Sequence, residues 1–160
     1  MRVYFLRHGE ADWPNWTGPD SDRPLTDKGI KEMKAIGEAI AGLKIELAAI
    51  LTSPYRRASQ TAEAVAHALN LPAKIEPSLE PGFDAAALGA LIERQGGGDL
   101  MVVGHEPDFS ATIRAVTGGD VKMARAGFAC VEIIDPHALR GELVWLIPPK
   151  VFKAANRLSG

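Results

Sequence analysis

Apolar runs and helix-period segments alternate along this chain almost from its first residue. Val3-Tyr4-Phe5-Leu6, behind Arg2, is a short apolar run of strand length, and it stops at Arg7-His8-Gly9. Next comes an irregular stretch from Glu10 to Leu25 holding Trp13, Pro14, Trp16, Gly18, Pro19 and Pro24. Loops of that length are usually functional or disordered, and two tryptophans argue for an ordered one that packs or contacts something. Thr26 is a good N-cap; Ile30, Met33, Ile36, Gly37, Ile40 and Ala41 then recur on one helical face, with Gly42 placed to end the helix.

The alternation continues to the end of the apolar pattern. Leu47–Leu51 predicts a buried strand ending at Thr52-Ser53-Pro54, and a helix follows from about Tyr55 to Leu69, closed by Asn70 and Pro72. Ala73–Ile75 reads as a short strand. Asp84 caps a helix running to about Arg94, which Gly96-Gly97-Gly98 terminates. Leu100-Met101-Val102-Val103 is a continuous apolar strand of the buried parallel kind, and Pro107 opens a helix to about Thr117. Phe128–Ile134 and Glu142–Ile147 read as an antiparallel pair at the sheet edge. Strands alternating with helices predict an α/β domain, a three-layer α/β/α sandwich on a mostly parallel central sheet with an antiparallel edge.

In open α/β sheets, ligands bind outside the carboxyl ends of the strands. Three predicted strands end in Arg7-His8, in Thr52-Ser53-Pro54 leading to Arg56-Arg57, and in Gly104-His105. Reactive residue types therefore gather at one predicted edge.

Composition narrows the classes of function. The 160 residues fit one domain, 1–160. With 18 basic and 20 acidic residues the net charge is −2, so the footprint of a nucleic-acid binder is missing and any positive site must be local. Cys130 is the single cysteine, which excludes an intrachain disulfide and a multi-cysteine metal cluster; its apolar strand context reads as a buried, inert thiol. The apolar runs fall far short of a membrane span and the start carries no secretory segment, so a cytoplasmic protein without membrane attachment is expected.

The edge residues suit phosphoryl transfer. That reaction needs an in-line nucleophile and positive charge around three equatorial oxygens. Arg7 and Arg57 supply permanent charge in a fork that matches phosphate, His105 adds a donor, and neutral His8 is a nucleophile able to carry the phosphoryl group. Gly9 lets the backbone approach a ligand without a Cβ in the way. The helices starting after Ser53-Pro54 and at Pro107 can aim N-terminal N–H groups at phosphate. No metal or organic cofactor is needed for this chemistry, and no H-E-x-x-H or comparable metal-ligand spacing is present.

Four segments, L-R-H-G-E, R-P-L-T-D-K-G, T-S-P-Y-R-R-A-S-Q-T-A and V-V-G-H-E-P, reach in order from Leu6 to Pro107. On these the chain resembles the histidine phosphatase superfamily, and a phosphoglycerate mutase-like fold is implied. Carried over by position, the resemblance implies His8 as nucleophile, with Arg7, Arg57 and His105 forming the phosphate pocket. Arg57 is selected over Arg56 because the matching arginine stands four residues after the serine.

Within the superfamily the chain most resembles the small SixA-type phosphohistidine phosphatases, through its length, Asp22-Arg23-Pro24-Leu25-Thr26 and G-H-E-P-D-F. Only 47 residues separate Arg57 from His105, little chain from which to build a lid. An open site suits phosphohistidine presented on another protein, namely a histidine phosphotransfer domain or a phosphocarrier, met by a monomer.

Larger members place a glutamate general acid between the arginine helix and the second histidine. Glu80, in Ser78-Leu79-Glu80-Pro81-Gly82, is the nearest candidate, against its reading as a surface-loop carboxylate. Imidazole, with a pKa of about 6.5, leaves more easily than an alkoxide, so even a missing acid is tolerable for a P–N substrate. Glu106 and Asp108 are candidates to orient an imidazole, or are first-turn helix charges. Thr17 and Ser21 are donors for substrate, or turn caps. The alternatives are a phosphatase for a small sugar or nucleotide phosphate, and a low-turnover module that only binds phosphohistidine.

Overall fold

A computed structural model describes residues 1–159. Its six strands are β1 (Arg2–Arg7), β2 (Ala49–Thr52), β3 (Ala73–Ile75), β4 (Leu100–Gly104), β5 (Phe128–Asp135) and β6 (Arg140–Ile147), and its five α-helices are α1 (Asp27–Gly42), α2 (Arg56–Leu69), α3 (Ala85–Gln95), α4 (Asp108–Thr117) and α5 (Pro149–Ser159). The strands form one sheet in the order β3-β2-β4-β1-β5-β6. β1 to β4 run parallel; β5 is antiparallel to β1 and to the edge strand β6. The fold is the mixed three-layer sandwich expected from the alternation of elements.

The period-two alternation of β1 explains the layers. Val3 and Phe5 face one core, with Leu88 and Leu91 of α3 and Phe109 and Ile113 of α4. Tyr4 and Leu6 face the other, with Met33, Ile36 and Ile40 of α1, Ala58, Ala62 and Val65 of α2, and Phe152 of α5. Burying both sheet faces is what lets β4 be a continuous apolar run.

Local signals set the helix ends. Thr26 accepts from Gly29 N at 3.0 Å, Asp84 caps α3 by accepting from Ala87 N at 2.9 Å, and Asn70 ends α2 in the left-handed region. α1 runs through Gly42 and stops at Leu43, where Lys44 takes φ 54°, so Gly42 is not the cap. Ile30, expected on the inner face of α1, is exposed. α5 was not expected. It anchors through one buried aromatic, Phe152, 6.4 Å from Phe128, and through Lys153 paired with Glu32 of α1. Pro149 sits at the helix start, where proline is favoured. Among the described residues, no helix is long and apolar enough to cross a membrane.

Candidate active site

β1, β4 and β2 are consecutive in the sheet, and their carboxyl ends are level: Arg7 pairs Gly104, and Thr52 pairs Val103. The ladder continues one residue further, His8 N donating to Gly104 O and Ser53 N to Val103 O, both at 3.0 Å. His8, Ser53 and His105 are thereby fixed side by side by backbone bonds, and α2 follows with Arg57 in its first turn. His8, Arg57 and His105 are buried, while Arg7 is partly so.

Two independent contacts select one tautomer of His8. Nδ1 lies 2.7 Å from the Gly9 carbonyl oxygen, which can only accept, so Nδ1 carries the proton. Arg57 Nε donates to His8 Nε2 at 3.3 Å, which requires a lone pair there. Burial, and then the fixed positive charge of Arg57 and Arg7, hold the His8 pKa down at about 3 against the Gly9 hydrogen bond that favours protonation. At neutral pH His8 is an uncharged imidazole whose Nε2 lone pair faces a guanidinium.

His105 is set differently. Its Nε2 lies 2.8 Å from Ser53 Oγ, its ring stands 5.4 Å from that of His8, and Tyr55 packs edge-on at 5.2 Å. Burial first, then Arg57, lowers its pKa to about 4, so in the free protein it contributes a hydrogen bond and no charge. Arg7 donates to Met123 O at 2.8 Å, and burial lowers its pKa without approaching neutrality. Arg7 Nε and His105 Nδ1 are buried and make no hydrogen bond within the protein. Buried donors left unpaired cost folding free energy, and an oxyanion is the group that a cluster of such donors and cations satisfies.

Several contacts had no sequence signal. Asp20, in a 3-10 turn of the long loop, binds Arg57 twice: its carbonyl accepts from NH1 at 2.8 Å and its Oδ2 from NH2 at 3.0 Å. Arg23 pairs with the same carboxylate at 3.1 Å. Partial desolvation would raise the Asp20 pKa, but the bonds and charge of Arg57 and then Arg23 outweigh it and hold the carboxyl below its ordinary range. Tyr55 supports the guanidinium of Arg57 with its ring face at 5.1 Å. Ser53 was visible only as part of the T-S-P segment.

The other expected residues stand as follows. Gly9, expected to let the backbone approach a ligand, donates its N–H to Thr61 Oγ1 at 3.0 Å. A Cβ on Gly9 would lie 2.8 Å from Met33 Cγ, so the glycine is required by packing against α1. Thr17 is exposed on the loop. Glu80 is exposed too, directly after Leu79, whose carbonyl oxygen lies 3.5 Å from where a Gly104 Cβ would stand, at the end of β4. Glu106 caps α4 by accepting from Ser110 N and Oγ at 2.8 and 2.6 Å, and Asp108 accepts from Gly82 N at 2.8 Å. Both are structural charges, and Glu106 occupies one of the α4 amides expected to meet phosphate. The start of α2 has no side-chain cap. Among the described residues, no group of three or more His, Cys, Asp or Glu is placed to hold a metal ion.

The neutral burial of two histidines has a consequence for stability. Between the ordinary imidazole pKa of about 6.5 and the folded values of about 3 and about 4, the unfolded chain binds more protons. Their stabilising contribution is complete above pH 6.5 and is lost as pH falls through that window, at up to about 1.4 kcal/mol per pH unit for each histidine. Denaturant midpoints are expected to hold from pH 7.5 to about 6.5 and then to fall towards pH 5; a profile flat throughout would contradict neutral burial.

A family model described as the histidine phosphatase superfamily (branch 1) matches residues 3–80. The phosphohistidine phosphatase SixA of Escherichia coli (strain K12) is 29% identical over 163 residues, spanning 99% of this chain and 100% of that one. An uncharacterised protein of a Picosynechococcus species is 36% identical, over 79% of this chain and 82% of its own length. The solved structure of the protein histidine phosphatase SixA complexed with tungstate aligns at a TM-score of 0.83 with 30% identity, covering 94% of this chain and 99% of that one.

Proposed function

We propose that this chain, which belongs to the histidine phosphatase superfamily, removes the phosphoryl group from phosphohistidine on a partner protein through a covalent phospho-His8 intermediate. The observation that carries the reading is the fixed neutral tautomer of His8, its Nε2 lone pair held against Arg57 at 3.3 Å. In the first step that lone pair attacks phosphorus and the P–N bond of the substrate breaks. The departing imidazole nitrogen keeps the bonding pair and takes a proton. In the second step water attacks the phosphorus on His8, the new P–N bond breaks, and the electron pair returns to Nε2 as phosphate leaves.

Arg7 and Arg57 neutralise the equatorial oxygens, and His105 donates a hydrogen bond to them. A phosphate dianion beside His105 reverses part of the electrostatic disfavour that Arg57 imposes on its protonated form. Glu80, at the rim after Leu79, is the candidate proton donor; for an imidazole leaving group its contribution is small.

Protein-borne phosphohistidine is favoured over small esters by two supports. SixA, which matches across the whole chain, is a phosphohistidine phosphatase. The 47 residues between Arg57 and His105 are used in the rest of α2, in β3, in a 3-10 turn at Pro77–Leu79, in α3 and in β4, which leaves little chain for an inserted lid. Cytoplasmic signalling phosphotransfer is the setting this implies. The test compares a histidine-phosphorylated phosphotransfer domain with p-nitrophenyl phosphate and a panel of alkyl monophosphates. The expected kcat/KM favours the phosphoprotein by at least about tenfold, or 1.4 kcal/mol in barrier. Efficient ester cleavage with no action on the protein would overturn the reading in favour of a small-metabolite phosphatase.

A further inference from the structure

The loop between β1 and α1 carries two tryptophans that the fold does not use. Trp13 and Trp16 are 40% and 39% exposed, and neither ring belongs to, or packs against, either core cluster. Both rings are nevertheless held in place. The Trp13 indole N–H donates to Pro24 O at 2.8 Å and that of Trp16 to Pro19 O at 3.0 Å. Gly18 lies against the Trp16 ring, where a Cβ would stand 2.9 Å from Cζ2. The polar edge of each indole is satisfied by its own loop, so what each ring offers outward is apolar surface.

With Asp12, Pro14 and Arg23, these rings line an open depression of about 540 Å³. Its charges are already matched: Asp12 pairs with Arg125, and Arg23 with Asp20 at 3.1 Å. Arg23 also joins the depression to the site, because Asp20 binds Arg57, whose Nε reaches His8. The depression therefore lies on the loop that is tied to the phosphate-binding edge through Asp20 and Arg57, and the two indole faces are its apolar part.

We propose that this depression is a docking surface for the phosphohistidine-bearing protein, receiving an apolar side chain that neighbours the phosphorylated histidine. The inference rests on the phosphohistidine reading above. An imidazole is a short arm, so a phosphoryl group delivered to the buried His8 brings the partner's backbone down onto the rim, and this loop is part of that rim. Immobilised aromatic rings beside a charged site lower the ordering cost of association and are the residue type that carries interface energy. A charged or strongly polar partner surface would gain nothing from the indole faces.

The experiment measures two P–N substrates, a histidine-phosphorylated phosphotransfer domain and phosphoramidate, with wild type, Trp13→Ala, Trp16→Ala and Pro14→Glu. Pro14→Glu places a charge in the depression while leaving both indole hydrogen bonds alone. The expected result is a rise in KM for the phosphoprotein of roughly tenfold in each variant, with phosphoramidate hydrolysis within about twofold of wild type. Equal losses on both substrates, or no loss on the phosphoprotein with Pro14→Glu, would overturn docking in favour of a role in holding the loop. A selective loss on p-nitrophenyl phosphate would assign the rings to stacking on small substrates instead. Wild type acting on both substrates, with variants that lose nothing on the phosphoprotein, sinks the docking surface alone; wild type inactive on the phosphoprotein sinks the parent reading with it.

Discussion

Replacing His8 by alanine is expected to lower kcat on phosphohistidine by about four orders of magnitude or more, the scale seen when a covalent nucleophile is deleted. No other side chain in the site can substitute. Arg7 and Arg57 have no lone pair to offer, and His105 stands elsewhere in the site, its ring centre 5.4 Å from that of His8. The variant should fold, because the His8 backbone bond to Gly104 O and the Ala126 N–H donation to His8 O are independent of the side chain. Two measurements separate mechanism from damage. Acid quench of wild type under turnover should trap a phosphohistidine on the enzyme that His8→Ala lacks. The fall in stability between pH 6.5 and 5 should also become shallower in the variant, since one of the two histidines buried neutral is gone. Undiminished turnover in a folded His8→Ala would end the proposal.

Arg57→Ala is expected to cost roughly 10²–10³ in kcat/KM, about 2.7–4 kcal/mol of transition-state stabilisation. Its Nε donates to His8 Nε2, and in the proposed step its guanidinium brings positive charge to the phosphoryl oxygens. Arg57→Lys should recover little, because one ammonium cannot reproduce the planar fork that spans His8 and an oxyanion. The Asp20 contact makes a companion prediction of opposite sign. In the free protein Asp20 already takes two hydrogen bonds from Arg57, one at its backbone carbonyl oxygen and one at Oδ2 of its exposed carboxylate. An incoming oxyanion must displace or outcompete the Oδ2 contact. Asp20→Asn keeps the shape, removes the negative charge and should tighten inhibition by tungstate or vanadate several-fold, whereas Arg57→Ala should weaken it. If Asp20→Asn weakened oxyanion inhibition, the carboxylate would be a positioner of Arg57 rather than a competitor for it.

Most of the fold was legible because its signals are local. Period-two and period-3.6 patterns, Thr26, Asp84 and Asn70 as caps, and glycines after α3 act within a few residues of themselves. α5 was not read from the sequence, although Pro149 at its start is a local signal; what the fold adds is the seat of Phe152 against Phe128. The exposure of Ile30 and the continuation of α1 through Gly42 show the same limit at finer scale: which side of a helix is covered depends on what packs there.

The sequence by itself determined the order of the elements and which strand ends would carry Arg7-His8, Ser53 with Arg57, and His105. Those follow from pattern and short spacing, and the parallel sheet needs only to place the three ends next to one another. What the tertiary structure alone decided is how those groups are held and charged. The His8 tautomer depends on Arg57, 49 positions away, and the engagement of Arg57 on Asp20, 37 positions away. Arg7 is anchored by Met123 O, across a separation of 116. Gly9, expected to face a ligand, turned out to be shaped by Met33 and Thr61. Contacts of that range arise only once two cores have closed over the sheet, because burial removes the water that would otherwise satisfy each polar group and obliges it to find a partner in the chain.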